Sequence, residues 1–141
     1  MDIKTNFIEC STKGFSDIVD ISKDVQHVLD CLNFIEGSVS LFVIGSTAAV
    51  TTLEYEPGLL RDVPELYEKF APYNAEYLHH QTWGDDNGAA HLRASLTGSS
   101  LSLAFMDKKL ILGTWQQIVL IDFDTSPRTR KIVVQIIGKE G

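Results

Sequence analysis

The last third of the chain sets the fold class. Between Leu101 and Ile137, four β-rich segments (101–105, 109–112, 116–123 and 131–137) are separated only by Asp107-Lys108, by Gly113 and by a turn from Thr125 to Arg130. Parallel neighbours need a crossover of a dozen residues or more, so connections this short demand antiparallel pairing. The final run, Ile132, Val133, Val134, Ile136 and Ile137, is apolar on both faces. Such a strand sits in the middle of a sheet or against another subunit.

Upstream, Ile3 to Glu9 suits an edge strand, Gly14 breaks it, and Phe15 to Ile21 forms a second short strand. Ser22 then caps a helix whose stripe is Val25, Val28, Leu29 and Leu32, with Gly37 as its stop. His27 lies off that stripe and is expected at the surface. Ser38 to Ile44 alternates as a strand and leads into Gly45, Ser46, Thr47, Ala48 and Ala49, residues small enough for a backbone or ligand to approach closely. Val50 to Leu53 is extended, and Pro57-Gly58 reads as a turn. A second helix starts at Asp62, which with Glu65 resembles a capping box, carries Val63, Leu66, Tyr67 and Phe70, and stops at Pro72. A third follows Asn87, packs through Ala89, Leu92 and Leu96, and ends at Gly98. The expectation is an α+β fold in a single domain over residues 1–141, a mainly antiparallel β-sheet core with three helices packed on it.

A net charge of −7 argues against nucleic acid as a partner, because phosphate binding over an extended surface needs a basic face. The one basic cluster, Arg128, Arg130 and Lys131 beside Pro127, reads as an exposed turn. Cys10 and Cys31 are too few for a disulfide scaffold and lack metal spacing, so a reduced cytoplasmic setting is expected. No apolar run has the length of a membrane span, no signal-like segment opens the chain, and no membrane partner is expected.

The chemistry concentrates in YLHHQTWGDDNGAAH, Tyr77 to His91, which holds three of the four histidines. His79, His80 and His91 offer imidazoles, Asp85 and Asp86 offer carboxylates, and Asn87 followed by Gly88 reads as a helix N-cap beside which an anion could dock. Asn87, His91 and Ser95 recur every fourth residue on one side of the helix. Elsewhere, Ser46 and Thr47 could touch phosphate as the floor of a pocket. Glu54 and Glu56 flank Tyr55 on one side of an extended segment, where either could serve as a base. After Gly113, Trp115 and Gln116 could give a substrate ring an aromatic wall and an amide. For each feature the structural alternative stands beside the functional one: solvated histidines, tight strand packing, a packed tryptophan.

Three stretches, GSTAAVTTLEYEPG from Gly45, YLHHQTWGDDNGAAHLRASLTGSSLSL from Tyr77 and LGTWQQIVLIDFD from Leu112, together resemble the YjbQ-type family, often described as secondary thiamine-phosphate synthases. The resemblance covers almost the whole chain and implies an antiparallel α+β fold, a homotrimer and a site near subunit boundaries. It implies an enzyme joining a pyrimidine pyrophosphate to a thiazole phosphate. His91, Asp85 and Glu54 would be its catalytic groups, and Ser46, Thr47, Asn87, Ser95, Trp115 and Gln116 would contact substrate. His79, Asp85 and His91 would hold a divalent metal, with no organic cofactor. Mg²⁺ prefers oxygen ligands, whereas a His-His-Asp set suits Zn²⁺. One departure stands out: many family members have histidine in an HTTAA or HTSAA motif where this chain has Gly45 and Ser46. The alternatives are a metal-dependent hydrolase or transferase acting on another phosphorylated metabolite, and a non-catalytic trimer that binds a small anion.

Overall fold

A computed structural model describes residues 1–141 as eight strands and four helices. In chain order they are β1 (Asp2–Thr12), β2 (Asp17–Asp20), α1 (Ser22–Asp30), β3 (Phe34–Ile44), β4 (Ala48–Leu53), α2 (Pro57–Phe70), α3 (Leu78–Trp83), α4 (Gly88–Thr97), β5 (Ser100–Met106), β6 (Lys109–Leu110), β7 (Gln117–Asp122) and β8 (Arg128–Glu140). The larger sheet runs β1-β8-β3-β5-β6 and the smaller β2-β7-β4. Every pairing is antiparallel, as the short connections require.

The strand that is apolar on both faces, β8, lies between β1 and β3. Ile132, Val134 and Ile136 point inward and are fully buried. A slip of one residue would turn Lys131 and Gln135 into the core instead. Each buried aliphatic side chain is worth about 1.5–3 kcal/mol over an exposed one, so the observed register wins decisively. Opposite these residues, Val50, Ile118 and Leu120 of the smaller sheet complete the main core, and Val25 and Leu29 of α1 close its end. The other face of the smaller sheet, with Ala49, Val119, Ile121 and Phe123, receives Ala90 and Ala94 of α4, while Leu60, Val63 and Tyr67 of α2 pack at the margin. The layers are thus larger sheet, smaller sheet and helices, and β7 is buried on both faces.

Several local expectations shift. Helix α1 ends at Asp30 rather than Gly37, and β3 begins at the aromatic and β-branched pair Phe34-Ile35. Gly37 sits inside that strand because a Cβ there would lie 2.0 Å from the Ile137 carbonyl oxygen. Helix α2 starts at Pro57, not Asp62: the Glu56 carboxylate accepts from the Gly58 and Leu59 N–H groups, and Pro57 takes the first position, where its missing N–H costs nothing. Pro64 therefore lies within the helix. A fourth helix, α3, joins the three expected ones. It is short and has no buried residue, so it left no apolar stripe to read. The segment expected to be an exposed basic turn opens β8 instead, and Arg130 is 6% exposed. Packing occupies only the inner face of the larger sheet; outward stand Ile3, Phe7, Phe42, Ile44 and Ile137. No helix is long and apolar enough to cross a membrane.

Candidate functional site

Gly84, in the left-handed conformation at φ 69°, ends α3 and turns the chain through Asp85 to Asn87 into α4. This hairpin of helices brings the histidines together. The rings of His79 and His91 stand 4.3 Å apart between centroids, tilted by 57°. His79 Nε2 is 3.3 Å from Asp85 Oδ2. Asn87 fits its neighbours with its amide nitrogen 3.2 Å from either Asp85 oxygen and 3.0 Å from His79 Nε2. Asn87 thus occupies the cap position without capping; His80 does so instead, its Nε2 accepting the Gly88 N–H at 2.9 Å. Only glycine fits at 88, since a Cβ would lie 2.6 Å from the Tyr77 Cβ and 2.9 Å from that His80 nitrogen.

The two helices wall a cleft of about 540 Å³ lined by Glu76, Tyr77, Leu78, His79, Gly88, His91 and Leu92. Burial pushes the His91 pKa below 6.5, and the adjacent His79 adds to this against the weaker pull of Asp124 and Asp85. At neutral pH His91 is an uncharged imidazole, able to accept a proton. One turn further along α4, Ser95 lines a second cleft, of about 240 Å³, with Gly45, Ser46, Ala48, Ala94, Gly98 and Ser99.

Behind these clefts lies a polar cluster. Asp122 ends β7 with no exposure and takes Arg130 through both oxygens, from Nε at 2.7 Å and Nη2 at 2.8 Å; the Thr12 hydroxyl donates at 2.6 Å. Asp124 accepts from Thr47 at 2.9 Å and from Arg128 at 2.8 Å. Burial would raise both carboxyls. For Asp122 the bonds from Arg130 and Thr12, and for Asp124 those from the Thr125 N–H and Thr47 together with the Arg128 charge, outweigh it and hold both below 3.8. The Thr125 hydroxyl donates to Asp86 at 2.8 Å, which ties this cluster to the α3–α4 turn.

The residues expected to form one site fall into two groups. His79, Asp85, Asn87 and His91 stand together, with Ser46 and Ser95 in the adjoining cleft. Thr47 lies beneath, 4% exposed, its hydroxyl spent on Asp124 and Arg130. Glu54, Trp115 and Gln116 lie elsewhere. Register pairs Ala48 with Asp122 and Leu53 with Gln117, which puts this second group about 17 Å away along β4, at 3.4 Å per residue. There Trp115, 73% exposed, and Glu54 border a cleft of about 280 Å³. Gln116 donates to Thr52 at 3.1 Å.

Sequence reading missed Asp122, Asp124 and Arg130. The signal is alternation: two acids two apart at the end of an apolar strand face one way, and two arginines two apart beyond the turn answer them. For the expected metal, the donors are close but do not converge. Nowhere do three His, Cys, Asp or Glu side chains stand so as to hold one ion. His79 Nε2 is taken up as the acceptor of the Asn87 amide, which also donates to Asp85. The protomer's own residues therefore do not make a metal seat.

Comparison with known proteins agrees with this architecture. Residues 6–139 match the family described as UPF0047 protein YjbQ-like. A UPF0047 protein of Archaeoglobus fulgidus is 38% identical over 121 residues, covering 86% of this chain and 91% of its own. The crystal structure of a YbjQ-like protein of unknown function from Sulfolobus solfataricus superposes with a TM-score of 0.87 at 30% identity, covering 98% of this chain and 100% of that one. A hypothetical protein of Aeropyrum pernix gives 0.90 at 27% identity, covering 96% and 99%.

Proposed function

The chain belongs to the YjbQ-like UPF0047 family, a family of unknown function, and from that premise we propose that it is a transferase acting on phosphorylated heterocycles, of the thiamine-phosphate synthase type. One observation carries this reading: a neutral His91 packed on His79, with Asp85 and Asn87 behind, on the wall of a cleft large enough for a small heterocycle. In the reaction a C–O bond to the leaving pyrophosphate breaks and a C–N bond to the thiazole forms. His91 accepts a hydrogen bond from the pyrimidine amino group and orients the ring, while Asn87 and Asp85 fix the position of His79.

The remote Trp115 group suggests how the site is completed. The protein is proposed to work as a homotrimer, in which the Glu54–Trp115 end of one copy reaches the histidine cleft of the next. A second reading, general-base hydrolysis of another phosphorylated metabolite, is favoured by the depressed His91 pKa, since an uncharged imidazole can take a proton from water. The test is thiamine phosphate formation from the two precursors by the wild type and by His91→Ala, with Mg²⁺ and then Zn²⁺ supplied. Product that falls at least a hundredfold in the variant supports the synthase; no product, or equal product from both proteins, ends it.

A further inference from the structure

Two residues beyond His91, α4 carries Arg93, which is only 1% exposed. Its Nε and Nη2 both donate to the Ala71 carbonyl, at 2.9 and 2.7 Å, and so close the C-terminal end of α2. Nη2 also pairs with Glu68 at 2.6 Å, Nη1 donates to the Ser16 hydroxyl at 2.9 Å, and the Tyr73 ring centroid lies 3.9 Å from Cζ. Ser16, itself buried, passes its hydrogen to the Tyr73 phenol at 3.1 Å, because that phenol spends its own on the Phe123 carbonyl at 2.7 Å. The chain of bonds thus ends on the residue between Asp122 and Asp124.

Helix α4 needs such a fastening. It meets the smaller sheet through Ala90 and Ala94, whose methyl groups offer little shape to resist rotation or sliding. Directional hydrogen bonds supply what the alanines lack. Ahead of His91, the Thr125 hydroxyl holds Asp86 of the α3–α4 turn; after it, Arg93 reaches Phe123 through Ser16 and Tyr73. His91 therefore lies between two ties to the same strand end.

We infer that Arg93 is the positioning residue of the histidine cleft, setting the rotation of α4 so that the His91 ring meets that of His79. This rests on the reading that the histidine pair is the working site. Side chains two apart on a helix of 3.6 residues per turn point to nearly opposite sides, and Arg93 is not among the residues lining that cleft. It acts through the helix and touches nothing bound there.

The test is the nuclear Overhauser contact between the ring protons of His79 and His91 in the isotope-labelled intact protein, read beside turnover. Arg93→Lys keeps the charge but cannot serve Ala71, Glu68 and Ser16 at once, so the contact should weaken about threefold or more. Thiamine phosphate formation should lose about a hundredfold in kcat, the order set by a misplacement of about 1 Å, with KM changed by no more than about twofold. Ser16→Ala leaves Arg93 its bonds to Ala71 and Glu68 and breaks only the chain to Phe123; it should weaken the contact in the same sense, and it decides the matter if Arg93→Lys does not fold. Val25→Ala, on α1 in the main core, should lower stability while contact and turnover stay at the wild-type level. A ring contact unchanged in the folded variants, or lost equally in Val25→Ala, would overturn the inference. Loss of contact in a protein that makes no product even as wild type would uphold the role of Arg93 and end the synthase reading. Product undiminished in Arg93→Lys and Ser16→Ala would do the reverse.

Discussion

His91 gives the site its pH dependence. Its folded pKa lies below the ordinary 6.5, pushed there first by burial, so the folded state binds the proton less readily than the unfolded chain. Stability must then fall as pH drops through 6.5 toward the folded value, with the loss complete below it. His91→Gln should flatten that part of a stability-versus-pH curve from urea unfolding, and turnover should show an acid limb below pH 6.5. The carboxylates act in the same direction, at lower pH. Asp122 and Asp124 have folded pKa values below 3.8, so their stabilisation is full above 3.8 and is lost as pH falls further. Asp122→Asn leaves the Arg130 charge buried without its partner and should cost about 3–5 kcal/mol by denaturant unfolding.

Among the elements, the α3–α4 hairpin is the most exposed to a single substitution. Gly88→Ala pushes a methyl group against Tyr77 and the capping nitrogen of His80; overpacking of this kind costs about 1–3 kcal/mol, measurable by chemical denaturation alongside loss of turnover. This hairpin was also the least legible part of the chain. Composition marked its histidines, but α3 buries nothing and cannot show in periodicity, and a histidine replacing asparagine as cap breaks the usual rule. The strands were easier, because β8, apolar on both faces, reads as a central strand or a subunit contact, and it does lie between β1 and β3. Helix α2 was half legible: its stripe showed, while its start hid behind Glu56, a residue type that seldom caps, and behind a Pro-Gly pair that normally means a turn. Arg130 was misplaced because sequence shows a basic cluster and not the acids across the gap.

For the whole molecule, the outer face of the larger sheet matters most. Phe7 and Phe42 both stand beside Val133 in register, which makes an apolar band across β1, β8 and β3 that the protomer leaves uncovered. A second copy is the occupant proposed here, in line with the proposed homotrimer in which neighbouring copies complete one another's site. Phe42→Lys should shift the mass seen by light scattering from trimer toward monomer. If Trp115 of one copy serves His91 of the next, His91→Ala and Trp115→Ala proteins, each inactive alone, should recover part of the activity after mixing and subunit exchange. A mixture that stays inactive although subunits have exchanged would show that the two ends act independently.

The placement of β8 also bears on how the chain reaches this structure. β1 and β3 are not neighbours; both wait on a strand that arrives more than eighty residues after β3. Until residues 128–140 are delivered, the larger sheet lacks its middle, and two eleven-residue edges rich in isoleucine and phenylalanine have nothing to pair with. Such a topology folds late and all at once, and its vulnerable moment is the interval before the closing strand inserts, when free edges can recruit one another between molecules. A chain halted at residue 127 should therefore aggregate instead of forming a smaller native core.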